Sequence, residues 1–572
     1  MQHRYHAALT SFGVGLCLLT GCAGGPAVGR GKSGAQAPAT SPTNAVAAGG
    51  LNTAEQATVT AHAHYAQGTI LDLAGDPEAA LQEFSLAAQA DPANEQLVMD
   101  LARRYLQRSR PEQALEILLR ATARPKASGM VFSRLAQVYA VQGKDDLARA
   151  ASQTAIKRDP ASLAGYLGLF LLEMKGAKHQ AALAVLDQAA HQPNASVEFL
   201  VGLGELYANL QHQAPSLKEA AKPGAALVLK RAAELNPAAP LLRLKLAEDF
   251  YVLGDTQGAT RIYLDLLERF PDEAELAEEV HTKLAQIYLQ ASDRQKAAEQ
   301  LQDLLKGNPT YVQAYYVLGQ LSLEAKKYAD AADYFAKGLL LNDKFKDSEA
   351  TYYMLAELQI ILDRVPQAFT TLERAQAKYR DSFTIEFLKA RAFSKQKDFT
   401  NALVHFTTAE VMAKAMEPAR LNALFYFQLG AAHERKGDLA EAETAFKKTL
   451  EIDPDFSEAL NYYGYMLADR GERLDAARAM VQKALDAEPK NAAFIDSMAW
   501  VFFRLHQPEK ALPLALQAIT LNEEPDATLY EHLGDIYAAL QQPEQAREAY
   551  QKSVALEKNP AVQKKLEPAP GR

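Results

Sequence analysis

ALFYFQLGAAHERKGDLAEAETAFKKTLEIDPDF, residues 423–456, reads as two helices joined by a short turn, and the same design recurs through most of the chain. Gly430 is a small residue in the first helix, Gly437 breaks that helix, Ala442 lies twelve residues after Gly430, Phe446 follows four later, and Pro454 closes the second helix. An alanine stands in the place of Ala442 at Ala80, Ala114, Ala148 and Ala182, every 34 residues, and again at Ala225, Ala259, Ala297, Ala331, Ala368, Ala402, Ala476, Ala511 and Ala546 at that spacing or slightly more. Twelve residues upstream sits Gly or Ala in nearly every copy, as in Gly68, Ala102, Gly319, Gly464 and Gly534, and twenty-one upstream of Ala225 in Gly204, with Phe170 the single large exception. A helix crossing that selects small side chains at a fixed place, flanked by bulky ones, explains the pattern.

A 34-residue helix-turn-helix unit with a small residue at position eight, Ala at twenty and Pro near thirty-two resembles the tetratricopeptide repeat. The resemblance covers roughly residues 61 to 560 and implies an all-α fold, a right-handed α-solenoid of about fourteen repeats. Two irregularities interrupt the ladder. Asn209 to Gly224, with two prolines, is expected to form a longer loop, and the second helix around Ala402 is expected to run on to Met416 before Pro418 stops it. The solenoid is expected over residues 53–567, ending in a polar capping helix at Ala561 to Glu567, with 568–572 as a tail.

The amino terminus reads as an address. His3-Arg4 precedes an apolar stretch from Ala7 to Leu19, shorter than the roughly 20 residues that cross a bilayer, so residues 1–21 are expected to be a signal peptide. Leu19-Thr-Gly-Cys22 resembles the bacterial lipobox, which implies a lipid on the Cys22 sulfur and cleavage just before it. Ala23 is not the aspartate associated with inner-membrane retention, so the same resemblance implies the periplasmic face of the outer membrane. Residues 22–52 are the lipidated cysteine and a Gly, Ala, Pro, Ser and Thr tether, expected to span about 30 Å as a random coil. The chain's other cysteine, Cys17, leaves with the signal, so no disulfide or thiolate metal site is expected.

Catalytic motifs are fragmentary. Gly29-Arg-Gly-Lys-Ser33 has Pro26 where a phosphate-binding loop needs glycine, and Ser394-Lys-Gln-Lys397 lacks its partner motifs. His62 and His64 point to different sides of one helix. No cofactor or metal is expected, the chain is not expected to be an enzyme, and a net charge of -9 without a basic run makes nucleic acid a poor partner. Proteins or extended polypeptides are the expected partners. The lysine and asparagine of a chaperone-type carboxylate clamp are missing from the fifth and ninth positions, whereas Tyr316, Tyr353, Phe387 and Phe427 occupy successive fifth positions and Trp500 a ninth. Aromatic side chains give large contact area at low entropic cost, so these five form the candidate peptide-binding groove.

The last three repeats carry the most distinctive run: Asn461-Tyr-Tyr-Gly-Tyr-Met-Leu-Ala-Asp-Arg-Gly471, Phe494-Ile-Asp-Ser-Met-Ala-Trp500, and Glu531-His-Leu-Gly-Asp535. This run is similar to the carboxyl-terminal part of long proteobacterial outer-membrane tetratricopeptide lipoproteins. One kind in that family is an adaptor for a carboxyl-terminal processing protease and its cell-wall hydrolase substrates. The resemblance therefore implies a non-catalytic, lipid-anchored scaffold with a periplasmic protease and hydrolases as partners. The alternative is an assembly factor of an outer-membrane secretion or polysaccharide-export machine.

Overall fold

The computed structural model describes residues 53–345, 347–379 and 381–566. The signal peptide, Cys22, the tether and the 568–572 tail lie outside the described residues. Among those described there are 29 α-helices, two short 3-10 turns and no strand, and consecutive helices pair antiparallel in series. The chain forms two compact units, one up to Lys144 and one from Asp145 onward. The first holds helices Thr53–Leu73, Pro77–Ala90, Glu95–Gln107, Pro111–Thr122 and Gly129–Val141. The second continues the same alternation to a closing helix, Pro560–Leu566, whose Val562 is buried and whose Lys565 reaches Glu531 and Asp535. Each unit is α-solenoid in architecture.

In four repeats the small position accommodates an aromatic ring. Gly68 faces Phe84, Gly319 faces Phe335, Gly430 faces Phe446 and Gly534 faces Tyr550, each sixteen residues on in the second helix of the same pair. A Cβ on Gly319 would come within 2.5 Å of the Phe335 ring, and one on Gly430 within 2.8 Å of Phe446. Absence of a side chain on one helix is thus what lets the ring of the other lie close against its backbone. The recurrent alanine, at 0% exposure in Ala80, Ala331 and Ala442, is enclosed beside it.

The turn between paired helices does two jobs with two residues. Gly75, Gly143, Gly254, Gly437 and Gly471 all have positive φ, as a helix-terminating residue requires. In Gly75-Asp76 the Asp76 N–H donates to the Leu71 carbonyl at 2.9 Å, closing the outgoing helix, while the Asp76 side chain accepts from the Ala79 N–H and caps the incoming one. Gly254-Asp255 repeats this arrangement, and so do Ser292-Asp293 and Lys397-Asp398, where a residue other than glycine takes the left-handed conformation. Lys397 therefore serves a turn, and with it the S-x-x-K spacing is accounted for.

Two expectations are corrected. Asn209 to Gly224 is no loop: the helices Val197–Gln213 and Lys218–Glu234 lengthen to 17 residues each, and only Ala214 and the 3-10 turn Pro215–Leu217 separate them. Lys218-Glu-Ala-Ala-Lys222 consists of strong helix formers. Pro223 lacks the N–H that would bond the carbonyl of exposed Glu219, and the helix continues through it. Gly224 packs on the Tyr207 hydroxyl, which donates to Asp187 at 2.7 Å, so the lengthened pair is locked to the preceding repeat. The second correction concerns the ladder: the enclosed alanine is Ala477, while Ala476 is exposed. One extra turn residue displaces the register, absorbed by a second left-handed residue at Arg473 (φ 46) after Gly471.

Two outcomes follow from this packing. Gly319→Leu and Ala331→Leu are each expected to destabilise the second unit by about 1–3 kcal/mol through overpacking. Chemical denaturation followed by circular dichroism measures this, and unchanged midpoints in both variants would contradict the ring-on-glycine contact. Ala177, an alanine held at φ 52, bears a left-handed penalty that glycine escapes. Ala177→Gly is expected to raise stability by about 0.5–1 kcal/mol, because relief of the strain exceeds glycine's added chain entropy.

Candidate protein-binding wall

Successive first helices lie against one another in the second unit, as Val197–Gln213 does on Pro240–Val252, Ser348–Ile361 on Phe383–Lys395, and Ser457–Asp469 on Ala492–Arg504. Polar bonds about one repeat apart stitch this wall together. Lys245 Nζ lies 2.8 Å from Glu205, and from the same helix Glu248 lies 2.7 Å from Lys283. Arg391 pairs with Glu357, the Tyr462 hydroxyl donates to Glu434 at 2.8 Å, and Trp500 Nε1 donates to Asp469 at 3.2 Å. In the first unit the Tyr65 hydroxyl donates to Asp100 and Arg104 pairs with Asp72. Exposed ion pairs of this kind contribute under about 1 kcal/mol each, but as a ladder they orient neighbouring helices and occupy the wall's charges.

The five candidate groove aromatics are packed into this wall. Tyr316 is buried: its hydroxyl donates to the Asn342 carbonyl at 2.8 Å and its ring lies 4.1 Å from Phe345. Trp500 is buried too, between His532 at 4.1 Å and Phe503 at 4.8 Å. Tyr353, Phe387 and Phe427 are half-buried. The Tyr353 hydroxyl donates to Glu349 at 2.8 Å, and burial pushes its pKa up to about 12. Phe387 stacks on Phe383, and Phe427 meets Phe446, Phe456 and Tyr462. As a set they form a seam between repeats, and a free aromatic stripe is not what the fold presents. The fifth position faces the following repeat, so a large ring there is enclosed by its neighbour.

The last three repeats hold a buried polar network that sequence reasoning did not assemble. His532 Nδ1 lies 2.7 Å from Asp496 Oδ2, with exposures of 4% and 5%, and the Tyr465 hydroxyl lies 3.4 Å from His532 Nε2. Three consecutive first helices thereby meet at one imidazole. Burial disfavours the charged ring, but the charge and hydrogen bond of Asp496, backed by Asp535 and Glu531, outweigh it and raise the His532 pKa above its ordinary 6.5. Burial and the charges of Asp469 and Asp496 push the Tyr465 hydroxyl well above its usual range, so it stays neutral. Asp496 Oδ1 and Asn461 Oδ1 are buried without a hydrogen-bond partner. Asp496 and Glu531 occupy the fifth positions of their repeats. The missing signal was the offset: the partner of one fifth position is the sixth of the next repeat, 36 residues on.

Among the described residues no group of three or more His, Cys, Asp or Glu side chains could hold a metal ion, and no helix is long and apolar enough to cross a membrane. His64 pairs with Glu83 at 2.7 Å, away from His62.

Models of the tetratricopeptide repeat match residues 73–128, 282–347, 423–456 and 497–561. Those segments of the chain carry tetratricopeptide repeats. Over 230 residues it is 30% identical to the TPR repeat-containing protein PA4667 of Pseudomonas aeruginosa, which covers 39% of this chain and 36% of that one. It is 27% identical over 135 residues to the type IV pilus assembly protein PilF of the same organism, 23% of this chain and 53% of the relative. The chain thus spans about a third to a half of these relatives' lengths. Among solved structures it is similar to Cut9–Hcn1 of the APC/C, with TM-score 0.38 and 15% identity over 83% of this chain and 96% of that one. Naa15/Naa10 bound to HypK gives TM-score 0.35 and 17% identity over 82% and 70%.

The network sets a pH dependence. A histidine whose folded pKa is raised adds stability fully present below about 6.5 and lost as pH rises through the raised value. The terminal repeats are therefore expected to weaken towards alkaline pH, with Trp500 fluorescence titrating at a midpoint above 6.5. His532→Gln strands Asp496 in the core and is expected to cost about 3–5 kcal/mol. Asp496→Asn should lower the fluorescence midpoint, and an unmoved midpoint would break the assignment.

Proposed function

We propose that this chain is a non-catalytic scaffold that binds other proteins through the wall of first helices and is held by lipid on Cys22 at the periplasmic face of the outer membrane. Tetratricopeptide repeats make it a protein-interaction scaffold in the coarse sense; the adaptor role is the finer reading. The observation that carries it is the stitched wall, whose charges and rings are engaged between repeats. Such a surface is preorganised, so a partner meets fixed geometry and little side-chain entropy is lost on docking. Two proteins bound along one stack reach an effective concentration on the order of millimolar without chemistry from the scaffold. The run from Asn461 to Asp535, through its resemblance to the carboxyl-terminal part of long outer-membrane tetratricopeptide lipoproteins, favours a processing protease and its cell-wall hydrolase substrates as the bound pair.

The second reading, assembly of an outer-membrane secretion or polysaccharide-export machine, draws on the stretch similar to PilF, a type IV pilus assembly protein. Crosslinked recovery of the protein from envelope extracts separates the two: a protease with hydrolases supports the adaptor, and secretion or export components support the assembly factor. Cys22→Ala is expected to leave an uncut or mislocalised precursor on envelope fractionation with detergent partition. A Cys22→Ala protein that is still processed and bound to the outer membrane would refute the lipid anchor.

A further inference from the structure

The first described helix, Thr53–Leu73, packs through Ala61, Tyr65 and Gly68 against Pro77–Ala90. Diametrically opposite runs a second apolar stripe at helical spacing: Val59, Ala63, Ala66, Ile70 and Leu73. All five are exposed, with Val59 at 56%, Ile70 at 59% and Leu73 at 85%. In a repeat stack this is the side on which a preceding helix would sit, and a terminal helix normally carries polar residues there.

We propose that this stripe is a self-association surface, on which the same helix of a second copy of the chain packs antiparallel about a two-fold axis between Ala63 and Ala66. Three features of the helix select a second copy. The order Val-Ala-Ala-Ile reads nearly the same in both directions, so an antiparallel copy places Val59 over Ile70 and Ala63 over Ala66. Large residues at the ends and small ones at the centre let two helix axes approach closely, as an isologous contact requires. Residues beside the stripe are neutral and mutually matched, with Thr60 meeting Thr69 and His62 meeting Gln67, while Leu73 extends past the pairing over Gln56. The helix carries no Lys or Arg, and of its two acids Glu55 lies near the end and Asp72 is already paired with Arg104 and Arg108. No like charges therefore oppose one another across the axis. One helix pair covers less than the roughly 1,200 Å² of a tight complex, so the dimer is concentration-dependent.

Sedimentation velocity of the purified full-length chain across a wide concentration range tests the pairing. The unmodified protein is expected to shift from monomer to dimer with concentration. Ala63→Glu/Ala66→Glu sets like charges face to face and is expected to weaken the dimer at least about tenfold, with helicity unchanged. Ala63→Glu/Ala66→Lys faces opposite charges in the antiparallel arrangement and is expected to restore it. A monomer at every concentration overturns the proposal, and protection of this helix from protease in that monomer would assign the stripe to residues 1–52 instead. A dimer indifferent to both double substitutions also overturns it, because another surface then holds the copies together. Should the double-glutamate chain fail to fold, Ala63→Lys/Ala66→Lys repeats the like-charge test, and a dimer indifferent to that pair overturns the proposal.

Discussion

A ring lying on a glycine sets the spacing of several helix pairs in this molecule. Where Phe335 covers Gly319 or Phe446 covers Gly430, one missing side chain determines how near two helices come, and all later packing inherits that distance. The cost of disturbing it is asymmetric. A larger residue on the first helix forces the ring out of a close-packed site, whereas a smaller residue on the second leaves a cavity. Both penalties fall within one repeat and reach its neighbours through shared side chains, which explains why the pattern recurs so strictly while surface residues vary freely.

Turns and polar ladders build on that spacing. A turn such as Gly254-Asp255 stops one helix and caps the next with two residues, leaving little freedom in the angle between them. With helix pairs so held, first helices come close enough for Glu205 to reach Lys245 and Glu248 to reach Lys283. The ladder is a consequence of the stack and in turn fixes it. Charges that would be diffuse on an isolated helix become a patterned wall, and this is the property on which protein recognition by such a surface rests.

The last three repeats differ in kind. There the link between successive first helices is a buried imidazole with its carboxylate, stacked on the only tryptophan, and not an exposed ion pair. Low dielectric strengthens such a pair and makes either partner costly to remove alone. The distinctive run from Asn461 to Asp535 thus has a structural basis: Asp496, Trp500 and His532 are constrained by one another as well as by any partner.

Local chemistry was legible in the sequence, because a period of 34 residues, small residues at one place and turn formers at another each act through neighbours a few positions away. Helix pairs, their order and the left-handed turns follow from these alone. Tertiary structure decided what depends on register between repeats. An extra residue at Arg473 moved the enclosed alanine from Ala476 to Ala477, and Lys218-Glu-Ala-Ala-Lys222 joined a helix that continues through Pro223 although the proline lacks one N–H. Tyr316 and Trp500 occupy positions that read as groove-lining but lie buried, since the following repeat covers them. The sequence alone specifies which face of a helix a side chain is on; only the assembled stack specifies whether that face meets water or the next helix, since burial is a property of neighbours distant in the chain.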